Sequence, residues 1–247
     1  MGLTDADILP LRYMTNLISL HMQHNQITDL TPLANLTTLR WLSVSHGQNN
    51  VSDLTPLTNL TNLRTLWLTG NISDLSVISG LTYLESLEIS GGSVRDVTPL
   101  TDLTNLRQLY LEFNQISDLT HVRGLTNLTN VSSLWLSGNA IRDVTPLANM
   151  TNLRALNLGD NQISCLATLG LATLTNLTNL GLIGNYISDL TPLANLTTLE
   201  TLNLGSNYIS DLTPLAGLAN LTWVGLWNNP ITDWSPVEHV ASVSGRP

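Results

Sequence analysis

The chain of 247 residues carries 18 acidic side chains against 9 basic ones, all arginine, for a net charge of −9. With no lysine and no basic stripe, a nucleic-acid partner held through its phosphates is not expected, and no run of about 18 apolar residues is present to enter a membrane. A single cysteine, Cys165, excludes an internal disulfide framework and the metal motifs that need paired cysteines.

In chain order, residues 3–16 read as the second half of a repeating unit, with Ile8, Pro10, Leu11 and Met14 in its apolar and proline slots. From Leu17 the chain cycles through L-x-x-L-x-L-x-x-N-x-I-x-D-L-T-P-L-x-x-L-T-N. It restarts at Leu39, Leu63, Leu84, Leu106, Val131, Leu153, Leu177, Leu199 and Leu221, mostly in steps of 22 residues. Repeats therefore run over 17–228, residues 229–247 read as a partial repeat and tail, and one domain over 1–247 is expected. In L-x-x-L-x-L the period of two predicts a short strand with leucines facing inward. The asparagine after it (Asn25, Asn71, Asn114, Asn139, Asn161, Asn185, Asn207, Asn229) is placed to satisfy backbone groups left open by a turn. D-L-T-P-L-x-x-L then predicts a 3₁₀ or single-turn helix, with Thr or Ser as N-cap and Pro at the first helical position. Eight of the ten prolines occupy that slot. One such unit cannot bury its own apolar face, so neighbours must stack. The expected fold is an α/β solenoid, a curved leucine-rich-repeat right-handed superhelix. Its concave side is a parallel β-sheet and its convex side carries the short 3₁₀ or helical turns.

The segment I-S-D-L-T-P-L-A-N-L-T-T-L at Ile187–Leu199, nearly repeated at Ile27–Leu39, resembles the repeats of bacterial internalin-like proteins. The resemblance covers all ten turns, and Asn229–Val237 is similar to the last repeat of that family. It implies a bacterial cell-surface or secreted protein whose concave face grips a partner. Similar 22-residue repeats occur in intracellular phosphatase-regulating scaffolds, so a cytoplasmic protein is the alternative. The first residues lack the basic and apolar regions of a signal peptide, which fits either the cytosol or an excised or mature piece.

The repeat also separates scaffold from surface. Nine aspartates share one slot (Asp29, Asp53, Asp74, Asp96, Asp118, Asp143, Asp189, Asp211 and Asp233), where a carboxylate beside a turn accepts backbone hydrogen bonds. Calcium is the weaker reading, because these carboxylates lie a full turn apart. Cys165 stands in the same slot and reads as a replacement, not a nucleophile. The N-x-S/T sequons follow from the L-T-N consensus and carry little evidence of glycosylation.

Outward strand positions obey no repeat rule. Their central row runs His21, Ser43, Trp67, Glu88, Tyr110, Trp135, Asn157, Gly181, Asn203 and Gly225, flanked by Trp41, His24, His46, Glu112, Phe113, Trp223 and Trp227. Five of six tryptophans and the only phenylalanine thus fall on or beside the sheet, where core burial does not explain them. Exposed aromatic patches mark interaction sites, although cross-strand packing alone is the structural alternative. The expected ligand-binding residues are Trp41, His46, Trp67, Glu88, Tyr110, Glu112, Phe113, Trp135, Asn157 and Trp227, with the main zone over turns two to six and a secondary one at Trp223 and Trp227. A two-residue insertion at His46–Asn50 would project beside the main zone; insertions at 125–131 and 166–177 would lengthen the convex turns. A protein partner is the leading expectation, with a carbohydrate ligand or a homodimer mating through the aromatics as alternatives. No cofactor and no metal are expected; His21, His24 and His46 can approach one another but lack a completing carboxylate or cysteine. Glu88 and Glu112 lie one turn apart, yet an open sheet offers no water-excluding pocket for a paired-carboxylate hydrolase, so no enzyme activity is expected.

Overall fold

Alternating leucines point one way because successive strand side chains point to opposite faces. Leu42, Leu66, Leu87, Leu109, Leu134, Leu156, Leu180 and Leu202, one per turn, are at most 2% exposed. The computed structural model describes residues 2–119, 128–166 and 171–246, and the chain forms two compact units, Met1–Ile116 and Ser117–Pro247. In the first unit β1 (Ser19–His21), β2 (Trp41–Val44), β3 (Thr65–Thr69), β4 (Ser86–Ser90) and β5 (Gln108–Tyr110) pair in parallel in chain order. The second holds β6 (Ser133–Trp135), β7 (Ala155–Asn157), β8 (Asn179–Gly181), β9 (Thr201–Asn203), β10 (Trp223–Gly225) and β11 (Ser242–Ser244), likewise parallel and in order. Within each unit the leucines of neighbouring turns face one another in register, as Leu66 faces Leu87, and Leu202 faces Val224. Open parallel strands backed by 3₁₀ turns make this a leucine-rich-repeat solenoid fold. Among the described residues no helix is long and apolar enough to cross a membrane.

Short 3₁₀ helices such as Thr31–Leu33, Thr98–Leu100 and Thr191–Leu193 occupy the T-P-L slot. The threonine is not their N-cap, contrary to expectation. The cap position falls on the preceding Leu30, Val97 or Leu190, and Thr and Pro are the first two helical residues. The slot aspartate does the capping work from two residues upstream. Asp29, Asp53, Asp96, Asp143, Asp189 and Asp211 each accept the N–H of the helix-opening threonine at 2.7 or 2.8 Å.

A column of buried asparagines ties turn to turn, as expected, but with one exchange of members. Asn161 accepts the Ile141 N–H at 3.0 Å and donates to the carbonyls of Leu136, Leu158 and Gly159. Asn114, Asn185, Asn207 and Asn229 repeat the pattern. Asn71, expected in the column, is exposed, because its turn is one residue short between Leu68 and Ile72. Asn49 takes the column position in the lengthened second turn, accepting from Ile27 and donating to Met22. A second column lies under L-T-N. Asn62, Asn105, Asn152, Asn176 and Asn220 each donate to a threonine carbonyl one turn back, and Thr38 and Thr198 substitute their hydroxyls in the L-T-T turns. Recurrence of Asn or Thr before each leucine was the available signal, and it reads only as consensus until the turns are stacked.

Residues 3–16 dock as the half turn their sequence suggests. Leu3 donates to Asn25, Asp5 accepts from Thr28, and Ile8 is buried, whereas Met14 stays 48% exposed. At the other end the segment read as a tail holds a further 3₁₀ helix, Ser235–Val237, and the strand β11 on β10. Val240 and Val243 stand there for the usual L-x-x-L, which obscured the strand in the sequence. The insertions expected at 125–131 and 166–177 fall partly on 120–127 and 167–170, outside the described residues.

Candidate functional site

On the first unit, parallel register brings the outward side chains of neighbouring strands to one strand spacing. His21 packs on Trp41 at 5.6 Å between ring centroids, and the Trp41 ring meets Trp67 edge-on at 5.1 Å. Trp67 is oriented by its Nε1, which donates to Ser86 Oγ at 3.0 Å. Among the described residues, the Trp41 Nε1 is the one buried side-chain polar atom without a partner. Ser43, in the same row, is fully buried and shares a hydrogen bond with Ser45.

Next to this ring cluster lies an open depression of about 260 Å³ lined by His46, Thr69, Glu88, Ser90, Glu112 and Phe113. Burial pushes the Glu88 carboxyl above its ordinary range; the neighbouring His46 opposes that rise and Glu112 adds to it. His46 stacks on His24 at 5.6 Å. These two histidines and Phe113 do not belong to the strands, although the sequence put them beside the outward row. All three have left-handed backbones, with φ of 58°, 61° and 54° for His24, His46 and Phe113. They occupy the turn position two residues after the last inward-facing strand residue, where other repeats carry Gly91, Gly138, Asp160, Gly184, Ser206 and Asn228 at positive φ. Phe113 is consequently 62% exposed. Among the described residues no group of three or more His, Cys, Asp or Glu gathers at metal-binding distance.

The second unit carries its own outward face. Trp135 is 38% exposed on β6. Between it and Trp223 on β10 runs an open depression of about 230 Å³ over Asn157, Asn179, Gly181 and Asn203. Trp223 and Trp227 meet edge-on at 6.3 Å. The Trp227 indole lies over two glycines: a Cβ on Gly205 or Gly225 would come within 2.4 Å of its ring. The ten expected ligand-binding residues therefore divide. Trp41, His46, Trp67, Glu88, Tyr110, Glu112 and Phe113 share the first unit, and Trp135, Asn157 and Trp227 belong to the second. Asn179, Gly181 and Thr201 line this depression without standing out in the sequence, since small polar residues give no signal at outward positions.

Comparison with known proteins agrees with this architecture. Residues 37–81, 129–172 and 175–217 match the family described as leucine rich repeats (2 copies), and residues 13–30 match a further leucine rich repeat family. No curated protein matches the chain. Among solved structures, the chain is similar to the internalin InlF of Listeria monocytogenes, at 35% identity and a TM-score of 0.72, over 96% of this chain and 82% of that one. It is similar to internalin C2 of the same organism at 38% identity and a TM-score of 0.70, over 75% and 82% of the two chains. A leucine-rich-repeat protein of Leptospira interrogans shares the fold at 22% identity and a TM-score of 0.79, over 95% of this chain and 68% of that one.

Proposed function

This chain belongs to the internalin-like family of leucine-rich-repeat proteins, and from that premise we propose that it is a non-catalytic, surface-exposed or secreted module that recognises a protein partner through the outward face of its sheet. Leucine-rich-repeat proteins generally mediate protein–protein interaction, and the ring cluster supports assigning that role to this face. The observation that carries the reading is the run His21–Trp41–Trp67 on the first unit, with ring centroids 5.6 and 5.1 Å apart, where the repeat requires no apolar side chain. Tryptophan and tyrosine dominate interface hot spots because a large rigid ring buries much area for little ordering cost. Tyr110 and Phe113 extend the apolar surface, and Glu88 and Glu112 supply the polar selectivity beside it. Strands stacked in register hold these groups before any partner arrives, so little reorganisation is needed on binding.

The test is an array of extracellular protein domains probed with the wild-type chain and with a Trp67→Ala, Tyr110→Ala variant. A true partner loses at least about tenfold in affinity, roughly 1.4 kcal/mol, while the variant keeps its circular dichroism. Partners whose affinity is the same for both chains would sink the assignment to this face.

A further inference from the structure

The second unit's outward face differs in chemistry from the first. Its depression between Trp135 and Trp223 has no ionisable side chain in its lining; the polar groups are the amides of Asn157, Asn179 and Asn203 and the Thr201 hydroxyl. Two of those amides are set identically. Asn157 Oδ1 accepts the Gly159 N–H at 3.0 Å, and Asn203 Oδ1 accepts the Gly205 N–H at 3.3 Å. Each lies across the glycine of the next strand, since a Cβ on Gly181 would come within 2.7 Å of the Asn157 oxygen and one on Gly225 within 2.9 Å of the Asn203 oxygen. The acceptor end of each amide is thereby engaged by its own backbone. The Nδ2 group of each has no acceptor among the described residues.

This arrangement recurs with a period of two strands, in the segments L-N-L-G at 156–159 and 202–205. Residues of β8 stand between, with Asn179 donating to Thr201 Oγ1 at 2.7 Å. Two strand spacings are about 9–10 Å. An extended peptide laid across the strands repeats every second residue, at about 6.6–6.8 Å, and would fall out of step with the two amides. A β-linked glycan, whose rings are each close to one strand spacing long, presents the same face and hydroxyls at every second ring. Its apolar C–H faces suit indole rings, and its uncharged hydroxyls suit fixed amide donors in a lining without ionisable groups.

We propose that the β6–β10 face is a second binding site, specific for a neutral β-linked glycan. Trp135 and Trp223 form the platforms at its two ends, and the Nδ2 groups of Asn157 and Asn203 donate to hydroxyls on alternate rings. This site is independent of the protein-recognition face on the first unit.

The test is calorimetric titration of the intact chain with cellohexaose and with chitohexaose, using maltohexaose, whose α-linkage curls the chain, as comparator. Saturable binding of at least one β-linked hexasaccharide, with weaker binding of maltohexaose, is expected. Asn157→Asp with Asn203→Asp keeps the oxygen that Gly159 and Gly205 need but removes the donors. It should lower affinity by about tenfold or more, as loss of two hydrogen bonds implies, at an unchanged melting temperature. Trp135→Ala, which removes an exposed ring, provides a second variant with the same expected loss. Trp67→Ala on the first unit should leave glycan affinity as it was, so failure of the protein-recognition reading would not imitate failure here. The proposal is overturned if neither β-linked glycan gives heat above dilution at millimolar concentration, if the variants bind as tightly as wild type, or if the groove proves to take a protein and no glycan.

Discussion

Phe113 is held in a conformation its side chain disfavours. A left-handed backbone costs an L-residue with a bulky side chain about 1–2 kcal/mol, and the equivalent turn residue elsewhere is Gly, Asp, Ser, Asn or, in the first two turns, His. The ring recovers little of this by burial, being 62% exposed. Under the proposed function, this strain is retained so that the exposed ring can meet the partner. Phe113→Gly is therefore expected to raise stability by roughly 1 kcal/mol in urea unfolding and to weaken partner binding. A destabilised variant would mean that the ring packs usefully within the fold. Sequence placed Phe113 near the outward row correctly but could not assign its backbone, because nothing in E-F-N-Q distinguishes a strand end from a left-handed turn.

At the level of the element, each turn depends on side chains borrowed from its neighbour. Removing the Asn161 side chain deprives the Ile141 N–H of its acceptor and three carbonyls of their donor, in a setting where Asn161 is 5% exposed. Buried groups left without partners cost about 1–3 kcal/mol each, so Asn161→Ala should destabilise by about 2–4 kcal/mol in denaturant unfolding. Asn71→Ala, at a position that looks equivalent in the sequence, should stay within about 0.5 kcal/mol of wild type, as exposed substitutions do. Equal losses at both sites would remove the distinction between them. The column was legible as a motif. Its membership was not, because a one-residue deletion or two-residue insertion changes which asparagine faces the neighbouring turn.

Across the whole molecule, the charge of −9 belongs largely to the capping aspartates. The carboxyls of Asp53, Asp189 and Asp211 lie below their ordinary range because the hydroxyls of Thr55, Thr191 and Thr213, and then the backbone N–H groups, bind the charged form; for Asp233 the Ser235 N–H leads. A carboxyl lowered by folding adds stability above its unfolded value and loses it as pH falls through the folded one. The melting temperature should therefore hold from neutrality to about pH 5 and decline below about pH 4. Asp189 and Asp233 each feel repulsion from Asp211. At neutral pH, raising salt from about 10 mM to about 0.5 M should screen this and raise the melting temperature. A salt-independent melt, or an acid limb beginning near neutrality, would contradict this account.

The sequence by itself determined the repeat, the inward leucine column, the 3₁₀ turns with their aspartates and the family, because each depends on local period and spacing. Only the tertiary structure decided which asparagines join the columns, which turn residues are left-handed, that Val240 and Val243 build a final strand, and which outward side chains meet. These depend on what lies one turn away through space, some 20 residues distant in the chain, where a single inserted or missing residue changes the partner without changing the motif.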